Sequence, residues 1–302
     1  MKPFTAAVVQ ASSVLFDRQA CLEQVAEWTA KAREQGAALV LFPEAFIPGY
    51  PRGLSFGSRV GSRSERGRRA WQHYWENALS EDSSAAEALS GIARDNEVYL
   101  IIGLIEQGLP AGTLYCSLFY YGPEGQLLHK HRKLKPTAAE RIIWGEGDGS
   151  DLQVISTELG KIGGLICWEN YMPLARTALY EQGVEIYLAP TADQRDSWQA
   201  SMQHIACEGR CYVLSCNQYI TRSMYPKEFR EEVSDQPELM CRGGSVIISP
   251  LGEVLAGPLW DEEGMLLADI DPGAIIRGKL DFDPVGHYHR PVVFSFRWKG
   301  DP

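Results

Sequence analysis

The sequence predicts an α/β fold in which two mixed β-sheets pack face to face and helices cover both outer faces. Apolar segments with strand character, about eleven of them, alternate with about six segments of helical period. The first 42 residues read as strand, helix and strand, which is typical of a parallel crossover unit. Because no flexible linker interrupts the alternation, we expect one domain over residues 1–302, with 285–302 as a C-terminal extension.

The N-terminal half begins with the crossover unit and ends with an antiparallel hairpin. Gly36 ends the first helix, because glycine is the residue that most often stops a helix at its C-terminus. A stretch rich in Gly, Pro, Ser and Arg at 47–64 is expected to be an ordered loop, since periodic structure resumes on both sides. Strands are predicted at 4–10, 38–42, 98–105, 114–121 and 126–131, and helices at 18–35, 65–79 and 84–95.

The C-terminal half continues the alternation and closes with a meander of strands. A strand at 162–166 is predicted to end at Cys167, where the chain turns sharply before a helix that starts near Pro173. The polar and acidic stretch at 221–241 reads as a surface excursion. Further strands are predicted at 184–189, 212–217, 244–249, 253–256 and 265–271, and helices at 173–183 and 196–210.

Composition argues against several classes of protein. The formal net charge of −10 disfavours a nucleic-acid partner, which would require a basic face. No apolar run approaches the roughly 20 residues that span a membrane, and the N-terminus lacks the pattern of a signal peptide. The seven cysteines have irregular spacing and no matching histidine pair, so we expect reduced thiols, a cytoplasmic protein and no metal site.

Three residues with reactive side chains lie where predicted strands end. Glu44 follows the second strand of the chain, Lys133 follows the second strand of the hairpin, and Cys167 follows a Gly-Gly-Leu-Ile stretch. Ligands gather at the carboxyl ends of parallel strands, so these side chains are expected to meet. A thiol becomes a nucleophile once a carboxylate takes its proton, and an ammonium stabilises developing negative charge. The set therefore predicts covalent attack on an electrophilic carbon without a cofactor.

Spacing alone leaves some of these assignments open. Free cysteines are among the most buried residues, so Cys167 by itself favours a structural interpretation. The sharp turn after the strand favours a nucleophile instead, held rigidly and half in solvent. Lys130 and Lys135 are alternatives to Lys133, and alternation along a strand places residues 133 and 135 on the same side.

Three motifs resemble the nitrilase branch of the carbon–nitrogen hydrolase superfamily. They are Phe-Pro-Glu-Ala-Phe-Ile-Pro-Gly-Tyr-Pro at 42–51, His-Arg-Lys-Leu-Lys-Pro-Thr-Ala-Ala-Glu-Arg at 131–141 and Ile-Cys-Trp-Glu-Asn at 166–170. The similarity continues in order from near the N-terminus to residue 296. The resemblance implies an α-β-β-α sandwich whose protomers pair into an αββα-αββα dimer core.

The resemblance also implies roles for particular residues. It implies a catalytic Glu–Lys–Cys triad of Glu44, Lys133 and Cys167, and a position near the site for a second glutamate, Glu140. The implied reaction converts an organic nitrile to the carboxylic acid and ammonia through a covalent thioimidate and thioester. From the sequence, Glu140 is alternatively an ion-pair partner of a neighbouring arginine, and Glu146 competes with it for the site.

Substrate contacts are predicted for Tyr50, Trp144, Trp168 and Thr191. The three aromatic residues have structural alternatives: Tyr50 as a turn residue, Trp144 as a support for the Gly-rich stretch after it, and Trp168 as packing. Glu169 is interpreted as structural, capping the next helix or meeting Arg176. The run at 52–57 is similar to plant nitrilases and their bacterial relatives, which favour arylaliphatic nitriles or cyanoalanine.

Two other functions remain open at this stage. An amidase or N-carbamoyl hydrolase of the same superfamily would use the same three residues on a carbonyl carbon. A scaffold that acts by binding or assembly is the alternative outside catalysis. We expect a small-molecule substrate, no metal or other cofactor, no nucleic acid or membrane partner, and a homo-oligomer that is at least a dimer.

Overall fold

The computed structural model describes residues 2–109 and 111–300, and in it two large sheets lie between layers of helix. Fifteen strands and six α-helices are found in the described residues. The strands are β1 Phe4–Gln10, β2 Ala37–Leu41, β3 Ser58–Arg59, β4 Ser62–Arg63, β5 Tyr99–Gln107, β6 Leu114–Tyr121, β7 Leu127–Arg132, β8 Ile155–Thr157, β9 Gly160–Gly164, β10 Ile186–Pro190, β11 Tyr212–Cys216, β12 Tyr219–Thr221, β13 Leu239–Ile248, β14 Val254–Trp260 and β15 Gly264–Ile270. The helices are α1 Arg18–Glu34, α2 Glu65–Asn77, α3 Ser84–Asp95, α4 Pro173–Glu181, α5 Asp196–Gly209 and α6 Pro272–Gly278.

Each large sheet has a parallel centre and antiparallel margins. The first sheet runs β15-β1-β2-β5-β6-β7, and β1, β2 and β5 are parallel. The second runs β12-β13-β11-β10-β9-β8, with β14 paired to β13, and β9, β10 and β11 are parallel. Crossover helices join the parallel strands, as the strand–helix–strand pattern of the first 42 residues predicts.

Alternating side chains divide the core into three layers. In β1, Val8 packs between the two sheets, whereas Val9 packs in the cluster that holds the inner faces of α1 and α3. In β10, Leu188 packs between the sheets, whereas Ala189 packs beneath α4 and α5. Because strand side chains alternate in direction, strands that are apolar throughout supply both layers at once. The predicted arrangement of two sheets between outer helices is confirmed.

The helices begin where the sequence offers a capping group. The Asp17 carboxylate accepts the Ala20 N–H at 3.0 Å at the start of α1, and the Ser83 hydroxyl accepts the Ala86 N–H at 3.3 Å at the start of α3. Pro173 occupies the first turn of α4, where its missing N–H is not needed. The starts of these three helices therefore follow local sequence, whereas α5 begins without a side-chain cap and α6 is not among the predicted helices.

The last strand does not continue the predicted meander. β13 and β14 pair antiparallel in the second sheet, but β15 crosses to the first sheet and pairs with β1, Phe4 opposite Ile270. The prediction of a closing meander is wrong at this strand. The edge of β1 would otherwise present unpaired backbone groups, and pairing with β15 satisfies them.

The segment at 221–241 is more than a surface excursion. Its side chains Tyr225, Phe229 and Val233 are buried in the layer between the sheets. The prediction is wrong for these residues, because isolated apolar positions in a polar stretch have no period to reveal them. The Tyr225 hydroxyl donates to the Arg52 carbonyl oxygen at 2.5 Å, so the segment fastens the loop at 47–64.

Among the described residues, no helix is both long and apolar enough to cross a membrane.

Candidate active site

Glu44 lies just beyond β2, in a turn that rests directly on β5. A Cβ at Gly103 of β5 would meet the Pro43 carbonyl oxygen at 2.2 Å and the Glu44 Cα at 2.6 Å, so only glycine allows this approach. The Phe46 N–H donates to the Gly103 carbonyl at 2.8 Å, and Gln218 Nε2 donates to the Glu44 carbonyl at 2.7 Å. The Glu44 side chain is fully buried, and these contacts fix its direction.

Lys133 directly follows β7, and its side chain is fully buried between two carboxylates. Its Nζ donates to Glu44 Oε1 at 2.6 Å and to Glu140 Oε2 at 2.8 Å. The alternatives are paired elsewhere: Lys130 with Glu81 and Glu106, and Lys135 with Glu146 at the surface. The structure therefore brings Lys133, and neither alternative lysine, to Glu44.

Glu140 belongs to a short 3-10 helix, Ala138–Ile142, that follows the lysine. Its Oε2 also accepts the Thr137 N–H at 2.6 Å, which caps this helix, and its Oε1 accepts the Tyr50 hydroxyl at 2.6 Å. Glu140 therefore joins the cluster through Lys133 and not through a neighbouring arginine. Glu146, its competitor in the sequence, lies at the surface with Lys135.

Cys167 opens a tight 3-10 turn, Cys167–Tyr171, three residues after β9 ends. Its φ of 52° lies in the left-handed region, which residues other than glycine seldom adopt. The Asn170 side-chain amide donates to the carbonyls of Leu165 and Cys167 at 2.9 and 2.8 Å and holds the turn. The predicted sharp turn is present, but the strand ends earlier than predicted.

The position of the Cys167 side chain also differs from the prediction. It is 5% exposed, so the expected half-solvent position is wrong. The Thr191 hydroxyl, 3.2 Å from the Cys167 sulfur, donates to it, and Thr191 is itself fully buried after β10. Tertiary packing of the loop after β10 covers the thiol, which the local sequence around Cys167 does not show.

Burial and neighbouring charges set the protonation of the cluster. Burial raises the pKa of Cys167, the Glu44 carboxylate raises it further, and Lys133 opposes both. Burial also raises the pKa of Glu44, against the lowering effect of Lys133. For Lys133, burial favours the neutral amine, but attraction to Glu44 and other acidic groups holds its pKa well above the ordinary value. At neutral pH these shifts keep the resting Cys167 thiol neutral and Lys133 an ammonium.

One oxygen of the Glu44 carboxylate accepts a hydrogen bond, and the other has no partner among the described residues. Glu44 Oε1 accepts from Lys133, and the Cys116 sulfur lies 3.7 Å from the same oxygen. Glu44 Oε2 is buried and has no hydrogen-bond partner among the residues that the structure describes. A buried carboxylate oxygen without a partner is an unfavourable arrangement unless it accepts a proton or meets a ligand.

A cavity of about 310 Å³ opens onto Cys167 and Glu140. Tyr50 and Trp168 line it, as predicted, and the indole N–H of Trp168 donates to Asp193 at 2.9 Å. The remaining lining residues are Arg52, Thr137, Ala192, Asp193, Gln194 and Arg195.

Two residues predicted to contact substrate lie outside this cavity. Trp144 lines a neighbouring cavity of about 530 Å³, and its ring lies edge-on to Tyr50 with centroids 5.7 Å apart. The larger cavity shares Tyr50, Arg52, Thr137 and Glu140 with the first and is otherwise largely apolar. Thr191 does not line either cavity and contacts the Cys167 sulfur instead.

Charged residues at the cavity were missed in the sequence. Arg52 lies in the Gly- and Pro-rich loop, and Asp193 and Arg195 follow β10. Asp193 accepts from Arg195 Nε at 2.9 Å, and the Arg195 guanidinium lies over the Trp168 ring at 4.8 Å from its centroid. Both loops are recognisable in the sequence, but nothing local shows that they converge on one cavity.

Among the described residues, no group of three His, Cys, Asp or Glu side chains could hold a metal ion.

Comparison with known proteins agrees with this geometry. The family model described as carbon–nitrogen hydrolase matches residues 5–279. A bifunctional nitrilase/nitrile hydratase of Lupinus angustifolius is 50% identical over 98% of this chain and 86% of its own length. An aliphatic nitrilase of Sinorhizobium fredii is 48% identical over 98% of this chain and 95% of its own, and nitrilase 1 of Arabidopsis thaliana is 49% identical over 95% and 84%.

Solved structures share the fold at lower sequence identity. An amidase from Nesterenkonia sp. superposes with a TM-score of 0.68 at 23% identity, covering 92% of this chain and 94% of that one. At this identity the likeness supports the arrangement of sheets and helices and nothing finer.

Replacement of Lys133 by Met is expected to destabilise the fold in a pH-dependent way. Removing one partner of a buried ion pair leaves an uncompensated buried charge and costs about 3–5 kcal/mol. Burial raises the pKa of Glu44, so in the variant this carboxyl group takes up a proton on folding. That proton uptake favours the folded state at acidic pH, and the contribution is lost as the pH rises through the folded-state pKa.

The measurement is urea unfolding of wild type and variant at pH 5 and pH 8, with the larger deficit expected at pH 8. Lys135→Met is the matched control, because its half-exposed pair with Glu146 contributes about 1 kcal/mol or less. Equal deficits for the two variants, or no dependence on pH, would contradict the buried cluster.

Proposed function

The chain belongs to the nitrilase branch of the carbon–nitrogen hydrolase family, and from this premise we propose that it hydrolyses an organic nitrile to the carboxylic acid and ammonia at Cys167. The observation that carries the proposal is that Lys133 Nζ lies 2.6 Å from Glu44, that the charges of both act on the Cys167 thiol, and that Cys167 itself lines the cavity. Near-full-length relatives named as nitrilases support this reaction for such a cluster.

The first half of the reaction forms a covalent thioimidate. Glu44, whose Oε2 has no partner among the described residues, takes the proton of the Cys167 thiol, and the sulfur attacks the nitrile carbon. The C≡N π bond opens, and the nitrile nitrogen takes the proton back from Glu44 as the thioimidate N–H. Charge that develops on this nitrogen is stabilised by Lys133 and by the backbone N–H of Trp168. The raised pKa of Glu44 suits this role, because a carboxylate with a raised pKa is a stronger base towards the thiol.

The second half releases the two products. Glu44 activates a water that adds to the thioimidate carbon, ammonia leaves, and a thioester on Cys167 remains. A second water then releases the carboxylic acid and restores the thiol. Glu140 holds Lys133 by its hydrogen bond at 2.8 Å, and Tyr50 fixes Glu140 from the other side at 2.6 Å. No step requires a metal or an organic cofactor.

An amidase reaction is the second candidate. The superposition with an amidase from Nesterenkonia sp. favours it only at the level of the fold, since the identity is 23%. Chemically, the same cluster would attack an amide carbon. Identities of 48–50% to named nitrilases over nearly the whole chain favour the nitrile.

Arg52 is a positively charged residue that lines the cavity, and its surroundings bear on substrate recognition. Its side chain is largely buried, and it takes part in no ion pair among the described residues. A guanidinium hydrogen of Arg52 is donated to the Ala192 carbonyl, whereas Nε is buried without a partner. A buried cation is favourable when an anion or strong acceptor meets it, so we propose that Arg52 receives such a group of the substrate.

The proposal extends to the domain organisation, the oligomeric state and the cellular location of the enzyme. We propose one domain with a C-terminal extension at 285–302, at least a dimer, and a cytoplasmic location. Apolar side chains stay exposed beside the site, Tyr171 at 40% and Leu174 at 67%, which supports a covering protomer. All seven cysteines are free, which supports a reducing compartment.

Replacement of Cys167 by Ala is expected to remove nitrile turnover and leave the fold intact. The covalent route depends on the sulfur, so the release of ammonia and acid should fall by at least about 10³-fold. The measurement follows ammonia, acid and amide from 3-phenylpropionitrile and, in parallel, from the matching amide. Cys207→Ala, on α5 outside both cavities, is the control and should keep wild-type rates. Substantial acid production by Cys167→Ala would refute the mechanism, and faster turnover of the amide would favour the amidase.

Replacement of Arg52 by Gln is expected to reduce turnover of nitriles that carry a carboxylate. A hydrogen bond to a charged group contributes about 1.5–3 kcal/mol, so kcat/KM for 4-cyanobutanoate should fall roughly 10- to 100-fold. For the neutral hexanenitrile the change should stay within about threefold. Arg195→Gln is the control, because Arg195 is half-exposed and already paired with Asp193. An equal loss on both nitriles would contradict substrate recognition by Arg52.

Light scattering at micromolar concentration is expected to give at least twice the mass of one chain, 33.6 kDa. Leu174→Asp, which places a charge on the exposed apolar face, should shift the protein towards the single-chain mass. A wild-type protein that is monomeric under these conditions would contradict the proposed dimer.

A further inference from the structure

A second buried cluster of charged groups lies behind the nucleophile and the lysine, and the proposed mechanism does not use it. It consists of Glu169, His131 and Asp151, and the Glu169 carboxylate is fully buried. In the sequence, Glu169 is interpreted as a helix cap or a partner of Arg176. The structure contradicts the second interpretation, because Arg176 pairs with Glu208 at 2.8 Å.

The Glu169 carboxylate joins the two strand ends that carry the catalytic side chains. Its Oε2 accepts the N–H of Ile166, the residue before Cys167, at 2.6 Å. Its Oε1 accepts the N–H of Leu134, the residue after Lys133, at 2.6 Å. One rigid group therefore sets the separation between the backbone of the nucleophile, in the second sheet, and that of the lysine, in the first.

His131 and Asp151 complete the cluster. His131 Nε2 lies 3.1 Å from Glu169 Oε1, and His131 Nδ1 lies 3.1 Å from Asp151 Oδ1. Because a carboxylate only accepts, both ring nitrogens must donate, and His131 is an imidazolium. The two carboxylates outweigh the effect of burial and raise the pKa of His131 to about 10. Asp151 Oδ2 also accepts the N–H of Arg132 at 2.9 Å.

The hydrogen bonds enclose Lys133 on both sides. Arg132 before it is held by Asp151, and Leu134 after it is held by Glu169. His131 links the two carboxylates, so they cannot move independently. None of these three charged side chains lines either cavity, and they therefore act on the reaction only through Lys133 and Cys167.

We infer that Glu169 is a positioning residue, which, with His131 and Asp151, fixes the distance and orientation of Cys167 relative to Lys133. The inference rests on the proposed function for its kinetic consequence but not for its structural one. A misplacement of about 1 Å between reacting groups lowers rates roughly 100-fold, and substrate binding in the cavity does not depend on this cluster.

The test replaces Glu169 by Gln. Glutamine has one accepting oxygen, and its amide nitrogen only donates, so it cannot accept both backbone N–H groups and the imidazolium. We expect kcat for a nitrile substrate to fall roughly 100-fold while KM stays within about threefold. We also expect the amide hydrogens of Ile166 and Leu134 to exchange with solvent at least about tenfold faster than in the wild type.

Glu208→Gln is the matched control, because it also removes a carboxylate that accepts from an arginine and a tyrosine hydroxyl. Glu208 is on α5 and contacts neither Lys133 nor Cys167, so its variant should lose stability without a change in kcat. The inference would be overturned by a folded Glu169→Gln variant whose kcat stays within twofold of wild type, whether KM is unchanged or raised.

If Glu169→Gln fails to fold, the Asp151→Asn variant tests the positioning role of the cluster instead. It leaves Glu169 in place and weakens the hydrogen bonds of Asp151 to His131 and to the Arg132 N–H, so kcat should fall about 3- to 10-fold. Unchanged kcat and unchanged exchange at Leu134 would overturn the inference. If the wild type turns over no nitrile, the proposed function fails. The hydrogen exchange of Ile166 and Leu134 still tests whether Glu169 holds these two backbone groups.

Discussion

The site depends on one buried ammonium held between two carboxylates. Lys133 has no exposed surface, and its Nζ lies 2.6 Å from Glu44 and 2.8 Å from Glu140. Charges removed from water are unfavourable unless their partners are close and well oriented. The strand ends that carry these groups must therefore meet closely, and Gly103 permits it by leaving room for the backbone of the Glu44 turn. The same pairing occupies one oxygen of Glu44 and leaves the other without a partner among the described residues, free to accept a proton.

Backbone conformation supports the same cluster. Residues other than glycine adopt positive φ at Ala45, next to Glu44, at Ala138, two residues before Glu140, and at Cys167 itself. Each such conformation costs on the order of 1–2 kcal/mol for an L-residue, so surrounding contacts must impose it. Hydrogen bonds around the turns supply those contacts, including the Asn170 amide at Cys167 and the Thr137 N–H at Glu140. Unusual backbone at Cys167 itself and within two residues of Glu44 and Glu140 indicates that these side chains are directed by their turns and not by the strands themselves.

The residues at the cavity entrance differ from the buried cluster in the chain segments that supply them and in how their charges are paired. They belong to the loop at 47–64 and the segment after β10, which bring Arg52, Asp193 and Arg195 around the entrance to Cys167. Asp193 and Arg195 neutralise each other, whereas Arg52 has no ion-pair partner among the described residues. Loops accept sequence change more readily than packed strands. The fold itself is shared with an amidase at 23% identity.

The sequence by itself determined the layered fold, the positions of most helices and the reactive residues at three strand ends, Lys133 among them through its motif, because apolar period, caps and motifs are local properties. Tertiary structure decided what depends on distant segments. It paired β15 with β1, buried Tyr225 and Phe229, placed Thr191 over the Cys167 sulfur, and set the Lys133 ammonium between Glu44 and Glu140. These outcomes follow from pairing edges, excluding water and neutralising buried charge, and such requirements can be satisfied only once residues far apart in the chain have met.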